Sequence, residues 1–444
     1  MKPHKISITL LIALSSMAFA NSNNESLKDA LLNTKFNAEL KAWYWDKTDE
    51  TSKFNNENIT NFALELGLKT GDLYGFYLGS TAQIAFAPIG TKNAKLLYNG
   101  EQNTKGIVLS QLHLGYKISN SDIKIGRQFI NAPLVAGNGA RILKESFEGA
   151  TANIKDIENN NIFLGYVYKF QGRTSFIMGD ESGKYPKFKD RITLGGVGPK
   201  AHKFNGLYYL GLTNKSFENL DLTAQYSYLN NVEFAIPNMK DKSGDIHLYY
   251  TEANYKVPLE NFSLKFDANF RGSKTSGQLE ERNFNGQMYG VKAGVYDLNG
   301  FNFIAAATTV SKNKSVIMSA GLGGNSYTFL PVRGGHLFTS TAGMTTYKFQ
   351  TDYDFSKIGI KNLKTSAAYV FSKHSTPNKQ AGMNPANVKR EYNGYSLALN
   401  YKVPCLEGLS TNLMWVSLNE EKTLNNKTDK SKIDELWVKL SYKF

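Results

Sequence analysis

Residues 434–444 read DELWVKLSYKF and end the chain on an aromatic ring. Leu436, Val438, Leu440, Tyr442 and Phe444 fall on one parity, while Trp437, Lys439, Ser441 and Lys443 fall on the other. Successive side chains of an extended strand point to opposite faces, so this stretch has one greasy face and one wet face. An edge strand of a soluble β-sandwich is one reading, but such a strand is usually followed by a polar tail. Here the chain stops on its apolar face, which calls for a hydrophobic surround at the very end of the fold. A bacterial outer-membrane barrel supplies that surround. Lipid wets its outer face, water wets its lumen, and closing the last strand on the first leaves no open edge.

The other end of the chain agrees. Lys2, His4 and Lys5 precede a short apolar run from Ile6 to Ser16, and Ala18-Phe19-Ala20 follows as a small-x-small cleavage site. This reads as a secretory signal peptide over residues 1–20, with the mature chain beginning at Asn21. Its apolar core is too short to span a membrane, and no later segment approaches the roughly 18 consecutive apolar residues that a spanning helix needs.

Composition narrows the class further. A mature chain of about 424 residues exceeds one ordinary soluble core, yet no Pro-rich or Ser-rich linker divides it. Aromatics make up 13%, with Tyr 25 and Phe 27 far outnumbering Trp 4, although only 41% of the residues are hydrophobic. Barrels combine these traits by alternating lipid-facing and lumen-facing residues and by placing aromatic girdles at both interfaces. Cys405 is the only cysteine, which excludes an intramolecular disulfide framework and reads as a small residue in a turn. The net charge of +14, falling to +12 without Lys2 and Lys5, would suggest nucleic acid in a cytosolic protein. In an exported one it points instead to anionic lipid headgroups outside, or to anionic solutes inside a pore.

After a polar segment at 21–35, with room for one short helical turn, alternating segments recur from Phe36 to the end, about eighteen in all. Each approximates the 9 to 11 residues that a tilted strand needs to cross a bilayer, plus extensions. Links after every second segment are short and carry turn residues, as in KTGD at 69–72, SNSD at 119–122, ENNN at 158–161 and PCLEG at 404–408. The others are long: 89–105, 134–147, 173–202, 231–245, 274–284, 314–344, 375–392 and 423–433. The expected fold is therefore all-β: a transmembrane, antiparallel, up-and-down β-barrel of about 18 strands over 36–444, with short periplasmic turns, long extracellular loops and both termini in the periplasm.

Parity also describes the lumen. Phe262, Leu264, Phe266, Ala268 and Phe270 oppose Ser263, Lys265, Asp267, Asn269 and Arg271. A charge facing hydrocarbon costs a few kcal/mol at mid-membrane, so the charged parity faces inward. The candidate pore-lining cations on that parity are Lys41, Lys265, Arg271, Lys292, Lys348, Lys402 and Lys439, joined by Lys69, Lys117, Lys169, Lys256 and Lys364. Acids on it are fewer: Glu39, Glu65, Asp221, Glu252, Asp267, Asp352 and Asp354. A low-dielectric wall with surplus positive charge concentrates small anions. The alternative is that the lysines pair with neighbouring acids, Lys265 with Asp267 for example, and leave a nearly neutral hole. Loops 134–147 and 314–344 are glycine-rich and apolar, which suggests that they fold into the barrel; 173–202 and 375–392 are polar and read as solvated outer loops.

Residues 122–149, DIKIGRQFINAPLVAGNGARILKESFEG, resemble the corresponding stretch of the OprD-like outer-membrane porins, through Gly126, Pro133, Arg141, Leu143, Phe147 and Gly149. Lys144 stands where that family usually has proline. The resemblance implies an eighteen-stranded passive channel, narrowed by its third and seventh loops. A ladder of arginine and lysine would guide small carboxylate-bearing nutrients such as amino acids, peptides or organic acids. It also implies that Arg141 lies at or near the constriction.

Covalent chemistry finds no support in the residues. The mature histidines His113, His202, His247, His336 and His374 are scattered, and neither GxSxG nor HExxH occurs. No DxDxDG-like spacing suggests a metal, so neither a metal nor a cofactor is expected. A general, trimeric diffusion porin and a structural or adhesive barrel are the alternative functions. The expected partners are small anionic or zwitterionic hydrophilic solutes, outer-membrane lipid and lipopolysaccharide, the barrel-assembly machinery through the strand ending at Phe444, and further copies of the chain in a homo-oligomer; nucleic acid is not among them.

Overall fold

The computed structural model describes residues 26–198, 200–235, 242–332, 337–374 and 388–444; the signal-peptide reading of 1–20, His336 and most of 375–392 lie outside them. Eighteen long strands make the wall. The first six are β1 (Lys35–Asp49), β2 (Asn56–Lys69), β3 (Phe76–Ala85), β4 (Gly106–Ile118), β5 (Ser121–Gln128) and β6 (Ser146–Ile154). They continue through β7 (Asn160–Gln171), β8 (Gly206–Phe217), β9 (Leu220–Glu233), β10 (Ser243–Pro258), β11 (Ser263–Thr275) and β12 (Gln287–Leu298). The last six are β13 (Phe301–Val310), β14 (Met344–Asp354), β15 (Leu363–His374), β16 (Lys389–Lys402), β17 (Leu409–Leu424) and β18 (Lys427–Lys443). Each pairs antiparallel with its neighbour in sequence, and β18 returns to pair with β1 in a register running from Glu39 opposite Lys443 to Asp49 opposite Ile433. The barrel is closed, as the terminal strand leads one to expect. The helical turn expected ahead of β1 is Leu27–Leu32, capped by Ser26 and tied to the first periplasmic turn by Gly71 N–H donating to the Ala30 carbonyl at 2.9 Å.

The alternation of faces is borne out at particular pairs. Phe266 is 48% exposed toward lipid, whereas Asp267 beside it is 8% exposed and Arg271 is 4% exposed on the lumen side. Leu436 and Leu440 face lipid on β18, while Trp437 is buried inward. Rings on β7–β10 form a continuous external belt: Tyr166 meets Tyr208 at 4.8 Å, Tyr208 meets Tyr228 at 6.2 Å and Tyr226 meets Tyr249 at 5.5 Å. Amphipathic rings suit the boundary between acyl chains and headgroups.

Three details depart from the expectation. The link expected at 423–433 is a two-residue hairpin: β17 and β18 run on to Asn425–Asn426, whose φ values of 49° and 62° are those of a type I′ turn. Lys169, expected inward, faces outward. A bulge between Glu148 and Gly149 shifts the β6–β7 register, so Phe147 and Phe170 turn into the lumen while Lys169 joins Glu148 at 4.0 Å on the outer face. Loop 173–202, read as a solvated outer loop, is packed inside, with Ile177, Met178, Ile192, Thr193 and Leu194 fully buried. Its lysines and acids hide a sparse apolar set that period-based reading passes over.

An eighteen-stranded wall encloses more space than wall side chains can fill. The described residues of loops 129–145, 172–205 and 311–343 occupy it, packing Leu134, Val135, Ile177, Leu194, Ile317 and Ala320 against Phe163, Leu207, Leu229, Leu248 and Tyr250 of the wall. On the opposite side Leu97, Tyr98, Ile142 and Leu143 pack against Trp43, Trp45 and Trp437. This sorting predicts that Lys265→Cys reacts several-fold faster with a water-soluble maleimide than Leu264→Cys or Phe266→Cys. The comparison uses membranes carrying protein in which the exposed Cys405 has been replaced by serine. Equal rates at adjacent positions would remove the basis of the face assignment.

Candidate pore constriction and its charged wall

The third loop (129–145) and the seventh (311–343) fold inward, as expected from their composition, and the fourth (172–205) joins them. Backbone bonds lace the three together. Ala136 N–H donates to the Ala320 carbonyl at 3.0 Å, and Ala320 N–H to the Leu134 carbonyl at 2.9 Å. Gly321 N–H donates to the Thr193 carbonyl at 2.8 Å, and Gly195 N–H to the Ser319 carbonyl at 2.9 Å. Gly321 adopts a φ of +80°, and a Cβ there would lie 2.2 Å from the Ala136 carbonyl oxygen, so only glycine fits the lacing. Gly126 is equally constrained: at φ +127° its Cβ would meet the Leu112 carbonyl oxygen at 2.2 Å.

Glu145 lies beneath this lacing. Its carboxylate accepts from Asn138 N–H and Leu322 N–H, both at 2.9 Å, and meets the Thr193 hydroxyl at 3.5 Å, so one side chain touches all three loops. Burial pushes the Glu145 carboxyl above its ordinary range, against the opposing pull of Arg173 and the two backbone donors. In the fourth loop, burial and the nearby Arg191 lower His202 to about 3, so its neutral ring accepts from Ala235 N–H at 2.9 Å.

The candidate pore-lining cations divide by partner. Three of them hold loop carbonyls. Arg271 on β11 donates to the carbonyls of Pro133 at 3.0 Å, Met318 at 2.8 Å and Asn325 at 3.4 Å, with its guanidinium 4.5 Å above the Tyr250 ring. Lys348 on β14 donates to the Phe329 carbonyl at 3.2 Å. Lys439 on β18 donates to the Ala140 carbonyl at 3.1 Å and stands 4.5 to 4.8 Å from the Trp43, Trp45 and Trp437 rings.

Two others are matched by acids. Lys41 on β1 reaches Glu65 at 3.0 Å, and the same carboxylate receives Lys144 of the third loop at 2.8 Å. Lys292 on β12 bonds Asp267 at 2.7 Å and lies 4.7 Å from the Tyr327 ring, whose hydroxyl in turn donates to Glu252. Asp267 therefore pairs across the strands with Lys292, and Lys265 rests instead over Tyr296 at 4.4 Å.

Arg141, on the third loop, is 6% exposed; its Nε and Nη2 donate to Glu101 at 3.1 and 2.8 Å, and it stacks over Trp45 and Trp437 at 4.9 and 5.0 Å. Lys402 lies exposed at the periplasmic end of β16, opposite Ser410.

Below the loops the wall carries cations of another kind. Lys256 and Lys265 stand directly opposite each other in the β10–β11 register. Across the lumen wall Lys69 and Lys117 lie 4.3 and 5.8 Å from the Tyr77 ring, whose hydroxyl donates to Asp122; Lys124 reaches the same acid at 3.4 Å. His113 meets Tyr77 edge-on and contacts the Arg127 carbonyl through Nδ1 at 3.2 Å. Sequence reasoning passed over Glu145, Lys124 and the tryptophan cluster, and read Lys144 only as a departure from the family's proline. Lys124 shares the inward parity of Asp122 and was open to the same counting; a carbonyl or N–H from another loop leaves no periodic trace.

Two outcomes follow. A carboxyl whose folded value is raised contributes stability that is full below the unfolded value and is lost as pH rises through the folded one. Protection of the amides at 134–145 and 318–323, corrected for the intrinsic exchange rate, should therefore rise on acidification from neutral pH, and Glu145→Gln should abolish that rise. Arg141→Ala removes the cation from buried Glu101, at a cost of about 3–5 kcal/mol. Exchange should rise over 137–145 while the barrel strands stay protected; unchanged exchange would mean that the pair does not hold the loop.

The fold and the family can be named from comparison. The structure superposes on Acinetobacter baumannii OccAB2 with a TM-score of 0.73 at 16% identity, covering 94% of this chain and 99% of that one. It superposes on Pseudomonas aeruginosa OpdO with a TM-score of 0.70 at 16% identity (94% and 98% covered), and on P. aeruginosa OccK5 (OpdH) with 0.67 at 18% (94% and 99%). At these identities the likeness is one of fold. No curated protein matches the chain in sequence. The family model for outer membrane porins of the OprD family matches residues 88–444. This chain belongs to the OprD family of outer membrane porins.

Proposed function

We propose that this porin is a passive channel that favours small carboxylate-bearing solutes, anionic or zwitterionic, such as amino acids, peptides or organic acids. The observation that carries the reading is the register of Lys256 against Lys265. Like charges directly opposite on a sheet repel, and a passing carboxylate relieves that repulsion. Lys69, Lys117 and Lys124, gathered around Tyr77 and Asp122, repeat the surplus on the far wall. A water-filled tube with low-dielectric walls and net positive charge raises the local concentration of anions. Lys41, Lys292 and Arg141 contribute less to that surplus, since Glu65, Asp267 and Glu101 balance them. Lys402, exposed at the periplasmic mouth, extends the track. Solutes move down their gradient, and no covalent step is involved. The exposed Phe444, next to β1 on the lipid side, suits recognition by the barrel-assembly machinery.

Bilayer recording across a KCl gradient tests the reading. The expected reversal potential has the sign of anion preference, and exchanging both lysines (Lys256→Glu with Lys265→Glu) shifts it several-fold in permeability ratio toward cations. A cation-selective wild-type channel would overturn the proposal, and a large ohmic conductance without block by any carboxylate would favour a general diffusion porin.

A further inference from the structure

We infer that Arg271 sets the bore of the channel by bolting the third and seventh loops to the wall, and that it does not act as a contact for the permeating solute. Its position marks it as a rung of the charged lumen face. Its bonds assign it another task. Nη1 uses both of its hydrogens on the backbone of two different loops, at Pro133 and Met318, and Nη2 turns to Asn325 further along the seventh loop. The side chain is 4% exposed, and the Tyr250 ring covers one face of its guanidinium. A solute carboxylate would have to displace loop carbonyls to reach it.

The geometry suits arginine in particular. A planar fork of five donors can address several acceptors in one plane, whereas an ammonium presents three donors around a point. The carbonyls it meets belong to inward loops, and a buried backbone acceptor left without a partner is costly. Arg271 works from the wall side of the same lacing that Glu145 fastens from within, where Glu145 joins Asn138, Leu322 and Thr193. The third and seventh loops, far apart in the chain, are thus fixed at a set distance from β11. The inference holds whichever solute the channel favours, because it concerns the width of the opening and not its charge.

Size and charge can be read separately. Liposome swelling with uncharged sugars of increasing mass reports the bore, and the reversal potential reports selectivity. Arg271→Met is expected to admit larger sugars and to raise conductance and open-channel noise, while Arg271→Lys recovers part of the wild-type limit. Val135 and Ala320 are bridged partners in the lacing, so Val135→Cys with Ala320→Cys, in protein carrying Arg271→Met and Cys405→Ser, replaces by a covalent link the tie that Arg271 makes between the two loops. With the disulfide formed, the sugar limit should return to the wild-type value; reducing it in the bilayer should widen the same channels. That reduction step serves even where Arg271→Met alone folds poorly. An unchanged sugar limit in Arg271→Met, a shift of reversal potential with no change in bore, or a bore indifferent to the disulfide would each overturn the assignment.

Discussion

Hydrocarbon offers a peptide group no water, and each backbone donor or acceptor left open there costs several kcal/mol. The first and last strands answer that constraint together. Ala38 N–H donates to the Phe444 carbonyl at 2.8 Å, and Phe444 N–H returns a bond to the Ala38 carbonyl at 3.0 Å. Once β18 is locked to β1, every stave has two neighbours and every side chain is committed to lipid or lumen. Closure also creates a second problem. A circle of eighteen strands is too wide for side chains to fill, so loops enter it and bring their own peptide groups into a partly dry interior. The wall meets that need with cations: Arg271, Lys348 and Lys439 donate to the carbonyls of Pro133, Phe329 and Ala140 among others, and Glu145 takes the N–H groups of Asn138 and Leu322.

The same charges therefore serve two ends. A guanidinium bonded to carbonyls keeps its charge, so Arg271 still shapes the field in the lumen while it organises the walls. Trp43, Trp45 and Trp437 make this possible near the third loop, where Arg141 and Lys439 share ring faces that bury cations without a full complement of acids. Trp415 is the remaining tryptophan, and it lies on the lipid face. An indole inside the barrel is thus part of the charge arrangement and not of the membrane girdle.

Much of this could be read from the residues. Period-two alternation placed all the staves, because a strand between oil and water is the strongest repeating signal a sequence can carry. The inward folding of 134–147 and 314–344 was legible from apolar residues where solvent would reject them. What escaped had no period. The Glu148–Gly149 bulge reverses the parity of Lys169 through a single extra residue, and the pattern on either side of it looks continuous. The extension of β17 and β18 to Asn425–Asn426 hides in a polar run, since beyond the membrane both faces of a strand are wet. Parity showed which cations point inward; whether each meets an acid, a ring, a carbonyl or open water depends on which elements stand opposite, and only the folded chain settles that.

The lacing of three loops has a consequence for how the protein matures. Residues 134–136, 193–195 and 318–323 come from distant parts of the chain, and they meet only because the staves between them have already curled into a ring. Contacts of such long sequence separation form late, after the entropy of closing the intervening chain has been met. The working bore thus exists only in the closed ring, since no single loop carries both sides of the surfaces that set it.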